Sequence, residues 1–357
     1  MPELTWRKLP AAAMHADPAL CAQWDRLNAQ GLNLIFMTAD AVCAALACFG
    51  EGNESLVIGE HGGQPVVLML VQPDGALRWR SFQPSQLPLG AWVAEPGRSL
   101  QSLCRSLLRG PLGFCLAFSA TQVDPLQAAR AADGADNRHD DYIDTAWVEL
   151  AGDFDTYWAA RGKNLRQNLR KQRNKLAAEG TVTALRVLTK PEEMAPAIAR
   201  YGALETSGWK SQEGTAVAPD NAQGRFYTRV FEQAAARGEA LVFEYLFGER
   251  TAAMNLGLCR AGTLVVLKTS YDESIPKALS PASLLREEEL QYLFADQAIK
   301  RMEYYGRVMD WHTKFTPHRR TVYHLTTYRW PWLKRLAQRR RVQAPTPTPV
   351  VAEAQET

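Results

Sequence analysis

One segment of this sequence, residues 263–285, restricts the fold more than any other. An apolar run from Thr263 to Lys268 is typical of a buried strand, and a short loop separates it from Ser280-Pro-Ala-Ser-Leu-Leu285. Serine before proline predicts a helix that begins at Pro281, with Ser280 as its N-cap. The free N–H groups of the first helical turn and the helix dipole suit an anion such as a diphosphate. The segment therefore predicts a strand followed by a phosphate-binding helix start.

Composition indicates an ordinary globular protein. The 357 residues are enough for two domains, with 46% hydrophobic and 22% charged residues. No apolar run approaches the roughly 20 residues of a membrane helix, and the N-terminus lacks the apolar stretch of a secretory signal. The six cysteines include no Cys-x-x-Cys pair. We therefore expect reduced core cysteines, no metal site and a cytoplasmic protein.

Charge is distributed unevenly along the chain. Residues 1–145 carry 10 Lys and Arg against 15 Asp and Glu, and the remainder carries 31 against 23. The net charge is therefore −5 in the first part and +8 in the second. We expect an acidic ligand or partner to dock on the second part.

The two parts share a pattern of three short strands. The first set lies near 56–58, 66–71 and 77–79, and the second near 241–243, 251–258 and 264–266. Glycine-containing turns separate the strands at matching places, which predicts a repeated three-strand meander. The alternative, that hairpin-rich α/β domains resemble one another by chance, stays open.

Other segments predict the remaining organisation. The small, acidic stretch 128–142 is typical of a surface connection, and the Pro-rich end 344–357 is typical of a disordered tail. From Val182 the predicted order is β-α-α-β-β-β-α-β, in which a strand near Met302 follows the helix from Pro281. A final strand pair includes residues 321–325.

This order resembles the GNAT acyltransferase fold. Four motifs resemble its CelD-type branch, acetyltransferase-like proteins linked to bacterial polysaccharide and cellulose production. They are Arg161-x-Lys163-x-x-Arg166-x-x-x-Arg170-Lys171-x-Arg173, then Glu205-Thr-Ser-Gly-Trp209-Lys210, then Lys268-x-x-Tyr271-Asp272 with Ser280-Pro-Ala-x-Leu-Leu285, and Asp310-x-x-x-Lys314. The second half matches almost throughout, whereas the first is similar to the degenerate GNAT-like lobe of this branch and of the FemAB transferases.

The resemblance implies an α/β (α+β) fold of two tandem GNAT-like domains. Each would be a mixed, mostly antiparallel sheet flanked by helices, over residues 1–145 and 146–329, followed by a basic, aromatic segment and tail over 330–357. It also implies acetyl-CoA or another acyl-CoA as donor, with direct attack of the acceptor on the thioester and no metal. The donor-binding candidates are Lys268, Ser280, Pro281, Ala282, Ser283 and Leu284.

One departure from the family pattern affects this donor site. The family usually has Ser-Pro-Gly at the helix start, and this chain has Ala282 in place of the glycine. Glycine allows the closest backbone approach to a phosphate. Alanine needs no positive φ within a helix, so the N–H groups stay available.

Two residues are candidates for acid–base catalysis. Glu205 could accept the proton of an attacking amine or hydroxyl if partial burial raises its pKa. Alternatively, Glu205 pairs with Lys210 at a helix end, and Trp209 belongs to the core. Tyr271 could protonate the departing thiolate, or it is simply a half-buried strand end.

The candidates for substrate binding are Arg166, Arg170, Trp209, Lys210, Asp272, Asp310 and Lys314. The first two belong to a basic helix over about 160–178, with seven Lys and Arg between 161 and 175 and no acid. Such a stripe is typical of a solvated face, but without acids it also suits CoA phosphates, a phosphorylated sugar, an acyl carrier protein or tRNA. Asp310 and Lys314 either contact the acceptor or a phosphate, or form a salt bridge with each other.

The C-terminal region suggests a second kind of surface. Trp330-Pro-Trp-Leu-Lys-Arg-Leu336 runs into Arg339-Arg-Arg341, a combination suited to the inner face of an anionic membrane. The alternative is a last helix that its tryptophans pack onto the domain. The histidines at 312, 318 and 324 do not have the spacing of a ligand cluster.

The leading hypothesis is an acyl-CoA-dependent acyltransferase that acts on an amine or hydroxyl. The resemblance alone points to a sugar or cell-envelope precursor as acceptor. A FemAB-like transferase that uses aminoacyl-tRNA is the second hypothesis, and a non-catalytic GNAT-like protein that binds an anionic partner is the third. DNA binding is not expected, because the charge is local and no nucleic-acid-reading motif is present.

Overall fold

The computed structural model describes residues 4–207 and 216–343 of the chain. Within these residues one sheet of thirteen strands is formed. The strands are β1 (Thr5–Pro10), β2 (Ser55–His61), β3 (Gln64–Pro73), β4 (Arg78–Ser81), β5 (Trp92–Ala94), β6 (Ala117–Val123), β7 (Asn137–Glu149), β8 (Thr183–Leu188), β9 (Ala240–Phe247), β10 (Arg250–Arg260), β11 (Thr263–Tyr271), β12 (Arg301–Glu303) and β13 (Arg319–Tyr328).

The helices cover both faces of this sheet. They are α1 (Ala13–Ala16), α2 (Pro18–Gln30), α3 (Ala39–Phe49), α4 (Leu100–Arg109), α5 (Phe154–Ala159), α6 (Lys163–Ala178), α7 (Pro191–Ser207), α8 (Ala222–Ala235), α9 (Pro281–Ala295), α10 (Asp310–Phe315) and α11 (Pro331–Gln343). The Pro-rich tail from 344 lies outside the described residues.

The two halves repeat one arrangement, which confirms the predicted tandem fold. The strand order across the sheet is β1-β2-β3-β4-β6-β13-β7-β12-β11-β10-β9-β8, with β5 beside β3. Each meander, β2-β3-β4 and β9-β10-β11, is antiparallel and ends in a strand that pairs in parallel with the strand after the next helix. The repeat also includes a preceding strand and a helix pair: β1 with α2 and α3, and β8 with α7 and α8.

Two layers of helices enclose the sheet. The helix pairs of both halves share one continuous core on one face, in which Trp24 of α2, Ala45 of α3, Tyr201 of α7 and Phe226 of α8 are buried. On the other face, α5, α6, α9 and α10 cover the second half, and α4 covers the first. The helices of the second half therefore form two walls, one on each face of β11. We call the side with α7 and α8 the α7–α8 wall, and the side with α5, α6, α9 and α10 the α9 wall.

The polar stretch before the second half differs from its prediction. Residues 137–142 begin β7 and are not a loop, and the expected division at 145 falls inside this strand. Its polar side chains are paired across the sheet surface, for example Asp144 with Thr321 at 2.6 Å. The predicted final strand pair is a single strand, β13, inserted between β6 and β7. The first part of β7 has few apolar residues, and its partner β13 lies about 180 residues away in the sequence. Because no hairpin nearby in the sequence indicates a strand, such a segment is easily predicted to be a loop.

Candidate functional site

The sheet opens beside β11. This strand pairs with β12 at only three positions, Thr263, Leu264 and Val265. From Val266 to Tyr271, β11 has no strand beside it on that edge within the described residues. An extended ligand binds to such a strand edge as an added strand would.

A bulge in β11 determines which side chains face each helical wall. The register with β10 shifts between Leu256 and Gly257, so Leu267 is an extra residue on β11. Lys268 then points to the α7–α8 wall, where its Nζ lies 5.7 Å from the centre of the Tyr227 ring. Thr269 points to the α9 wall, where its hydroxyl donates to Asn255 at 2.7 Å. The predicted donor residue Lys268 is thus on a different wall from the start of α9.

The helix start has the predicted position but not the predicted cap. Helix α9 begins at Pro281, and Ser280 adopts the left-handed conformation with φ of 36°. The Ser280 side chain makes no capping bond; it accepts from Gln172 of α6 at 3.2 Å. The N–H groups of Ser283 and Leu284 both donate to the Ser280 carbonyl, at 2.9 and 3.1 Å.

One first-turn N–H group therefore remains for a ligand. The Ala282 N–H has no acceptor within the described part of the chain. Pro281 has no N–H, and those of Ser283 and Leu284 are engaged inside the turn. The anion site at the start of α9 stays a prediction, and the N–H group left for it belongs to Ala282, the residue that replaces the family's glycine.

The basic helix α6 lies against α9. Arg173 forms ion pairs with Glu287 at 2.8 Å and Glu288 at 2.9 Å. The expectation that no acid compensates this basic stripe is therefore wrong for Arg173, because α9 supplies two acids. The Arg166 side chain donates to the Arg161 carbonyl at 3.2 Å, whereas Arg170 is exposed.

Glu205 and Lys268 come together on the α7–α8 wall. Glu205 is 2% exposed, and its carboxylate lies 3.5 Å from Lys268 Nζ. Tyr201 donates its hydroxyl to Glu205 at 3.0 Å, and the Val217 N–H donates to the other carboxylate oxygen at 2.9 Å. Burial and the Glu205 carboxylate hold the pKa of Tyr201 well above its ordinary value. Trp209 and Lys210 lie outside the described residues.

Two glycines let the segment after Val217 lie directly on this wall. A Cβ at Gly202 of α7 would stand 2.2 Å from the Val217 carbonyl oxygen, and one at Gly224 of α8 would stand 1.9 Å from that of Ala218. Glu205 fixes the same segment through the Val217 N–H. The contacts of Glu205 thus place it in the anchoring of this segment.

A buried charge network that was not predicted from the sequence underlies the α9 wall. Arg286 is 2% and Glu289 0% exposed, and they form an ion pair one helical turn apart. Asn255 donates to Glu289 at 2.8 Å and accepts from Thr269, so the network reaches the open edge of β11. The sequence does contain an indication of this burial, because the helical spacing places Arg286 and Glu289 on the same face of α9 as the apolar Leu293.

Aromatic side chains that follow β12 in the sequence cover this charge network. The Arg286 guanidinium lies 5.0 Å from the centre of the Tyr304 ring and 5.2 Å from that of Trp311. His312 stacks on Trp311 and accepts the Met309 N–H at 2.9 Å. Burial, reinforced by the Arg286 charge, lowers the pKa of His312 to about 4, so this imidazole is neutral at pH 7.

The family model described as "Acetyltransferase (GNAT) domain" matches residues 163–313, a range that begins with α6 and includes β11 and α9. This part of the chain is a GNAT domain. The match is to the GNAT domain as a whole and assigns no branch within it. No curated protein sequence matches the chain significantly.

Several solved structures are similar in fold to most of this chain. A protein from Agrobacterium fabrum assigned to the C-terminal domain of a lysylphosphatidylglycerol synthetase has a TM-score of 0.53 at 14% identity, covering 89% of this chain and 96% of that one. FemX has a TM-score of 0.55 at 9% identity, covering 93% and 99%. A conserved protein from Bacteroides thetaiotaomicron has a TM-score of 0.55 at 10% identity, covering 91% and 99%. At these identities the similarity concerns the fold alone.

The remaining predicted residues of the GNAT domain are spread around the opening. Tyr271 is half-buried and packs on the α9 wall. Asp272 accepts from Arg250 at 2.6 Å and from Ser274, and although burial opposes it, these bonds hold the pKa of Asp272 below its ordinary value. Asp272 therefore orders the loop that leads to α9.

The last two predicted substrate-binding residues lie on α10. Asp310 and Lys314 are exposed on α10, and within the described residues no ion pair joins them. Neither residue forms a backbone hydrogen bond or an ion pair with the start of α9 within residues 4–207 and 216–343. Their expected role in substrate binding stays a prediction.

A second buried charge cluster ties the GNAT domain to the first half. Arg320 of β13 bonds Asp124 of the first half at 2.6 Å and Glu303 of β12 at 2.9 Å. The rings of Trp147 and Tyr305 lie 5.2 Å from its guanidinium. Burial, opposed by Arg320, raises the pKa of Glu303 to about 7. The base of the opening is thus fixed by both halves of the chain.

Among the described residues, no group of three or more metal-binding side chains comes together. No helix in residues 4–207 and 216–343 has the length and apolarity that crossing a bilayer requires.

Proposed function

We propose that the GNAT domain transfers an acyl group from acyl-CoA to an amine or hydroxyl acceptor. The observation that carries this proposal is the open edge of β11 beside the start of α9, where the Ala282 N–H has no acceptor among the described residues. An acyl-CoA has an extended arm with two amides, which suits an unpaired strand edge, and a diphosphate, which suits a helix N-terminus. Arg170 and the other exposed cations of α6 add a positive surface nearby.

The reaction is a direct displacement on the thioester. The acceptor nitrogen or oxygen forms a bond to the carbonyl carbon as the carbon–sulfur bond breaks. The acceptor releases a proton, and the departing thiolate takes one up, so the products are the acylated acceptor and free CoA. Tyr271, at the end of the open edge, is our candidate to protonate the thiolate. By resemblance, the acceptor class is a sugar or cell-envelope precursor.

A second candidate function is transfer of an aminoacyl group from aminoacyl-tRNA, as the FemAB resemblance implies. The exposed side chains of Lys163, Arg170 and Lys171 on α6 favour it, because a phosphate backbone needs several unpaired cations. The ion pairs of Arg173 with Glu287 and Glu288 reduce this surface, which favours acyl-CoA.

Calorimetric titration of the whole chain with acetyl-CoA, longer acyl-CoAs and aminoacyl-tRNA tests the choice. We expect micromolar binding of one or more acyl-CoAs that weakens only modestly with salt. Binding of aminoacyl-tRNA alone, falling steeply with salt, would identify the second candidate. If neither donor binds, the non-catalytic hypothesis replaces both.

Glu205 is expected to act as an anchor more than as the base that the sequence suggested. We expect Glu205→Gln to keep at least a tenth of the rate of CoA release with amine and hydroxyl acceptors, because a Gln carbonyl can still accept the Val217 N–H. Glu205→Ala should lose more, with a lower melting temperature. A direct general base predicts the opposite pattern, in which Gln costs on the order of 100-fold or more and stability is unchanged.

A further inference from the structure

Large apolar side chains are exposed together at the C-terminal corner of the molecule. Phe114 is 61%, Trp332 55% and Leu336 41% exposed. Trp330 stacks on Trp332 with ring centres 5.9 Å apart, and Phe114 lies 6.2 Å from Trp330. Scattered exposed apolar residues are ordinary, but a contiguous aromatic patch indicates a binding surface.

The outer face of α11 combines this patch with cations. Trp332, Arg335, Leu336 and Arg339 have the i, i+3, i+4, i+7 spacing of one helical face, and all four are exposed. Neither arginine has an ion pair within residues 4–207 and 216–343. The sequence of α11 contains no acid at all. We name these four residues with Phe114 and Trp330 the α11 face.

Hydrogen bonds of neighbouring residues hold the α11 face on the rest of the structure. The Arg329 guanidinium donates to the carbonyls of Leu108 and Cys115, at 2.8 and 3.3 Å, and lies 5.5 Å from the centre of the Phe114 ring. On the inner side of α11, Lys334 donates to the Gly134 carbonyl at 2.8 Å. The aromatic side chains are therefore held outward by contacts of their neighbours.

We propose that the α11 face docks on the surface of a membrane that contains anionic lipid. Indole rings partition to the interface between headgroups and acyl chains, and guanidinium groups bind lipid phosphates above them. The α11 face has side chains suited to both layers. Trp332 and Leu336 can enter the interface, and Arg335 and Arg339 can bind the lipid phosphates. A protein partner would have to place two acids beside an apolar surface to match this face. An anionic membrane offers phosphates above an apolar layer everywhere on its surface, so it matches the face without such a specific arrangement.

Co-sedimentation of the full chain with vesicles tests this proposal. We expect binding to vesicles of phosphatidylglycerol and phosphatidylcholine, a blue shift in tryptophan fluorescence, and release at high salt, with no binding to phosphatidylcholine alone. The pair Trp332→Ser and Leu336→Ser, and separately the pair Arg335→Glu and Arg339→Glu, should each weaken binding at least tenfold. The matched control is the same charge reversal at Arg225 and Arg229, exposed on α8.

Two results would overturn the proposal. One is equal binding of the native chain and the α11 variants, or no binding to anionic vesicles at low salt. The other is a dimer in vesicle-free solution that the Trp332 and Leu336 pair converts to a monomer, since the face would then be a contact between copies of this chain. Thermal melting curves that match the native one establish that the variants are folded. None of these readouts depends on acyl transfer.

Discussion

Replacement of Arg286 with methionine is expected to lower the free energy of unfolding by about 3 to 5 kcal/mol. Arg286 and Glu289 are almost completely buried, and removing the guanidinium leaves the Glu289 carboxylate without its counter-charge in an apolar core. The change also removes the cation that lies beside the Tyr304 and Trp311 rings. Urea denaturation of the native and variant chains measures the difference.

A double substitution serves as the control for this prediction. Glu289→Leu alone should also be strongly destabilising, because it isolates the arginine. Arg286→Met combined with Glu289→Leu should cost less than the sum of the two single changes, since no unpaired charge remains. A loss below about 1 kcal/mol for Arg286→Met would mean that Glu289 is protonated or solvated in the native state.

Replacement of Ala282 with glutamate is expected to weaken acyl-CoA binding at least 100-fold. The new carboxylate would lie in the first turn of α9, beside the free N–H that we assign to the donor diphosphate, and would repel it. The same carboxylate interacts favourably with the helix N-terminus, so stability should be unchanged or slightly higher. Calorimetric titration with acetyl-CoA gives the dissociation constants.

Two comparisons make this loss specific to charge. Ala282→Gln has nearly the same size without the charge and should bind acetyl-CoA within about tenfold of the native chain. Acetyl-pantetheine, which lacks the diphosphate, should bind the native chain and Ala282→Glu equally. If Ala282→Glu binds acetyl-CoA like the native chain, the diphosphate lies elsewhere.

Local patterns in the sequence were enough to predict the repeated fold. The three strands around Val66 and those around Val265 carry strong apolar runs with glycine turns, and the structure has both meanders where they were expected. The Pro281 helix start was also predicted correctly, because proline at the first position is a local signal. Strand β7 was missed because its partner β13 is distant in the sequence.

The site was only partly predictable, for a related reason. The hydrogen-bond arrangement in the first turn of α9 depends on the backbone conformation of Ser280. This conformation is left-handed, and it turns the Ser280 side chain away from the position of a helix cap. The acids that neutralise Arg173 come from α9, more than 100 residues away, and no pattern within α6 reveals them. The bulge at Leu267 likewise places the Lys268 side chain on the opposite face of the sheet from the one that regular alternation along β11 predicts.

We expect the donor to bind along the open edge of β11 with its diphosphate at the start of α9. A crystal structure of the chain with acetyl-CoA would show this binding mode. The expected result is a diphosphate oxygen about 3 Å from the Ala282 nitrogen, with the amide-bearing arm hydrogen-bonded to the backbone between Val266 and Tyr271. A complex in which acetyl-CoA lies in the first half, or leaves the edge of β11 free, would contradict it.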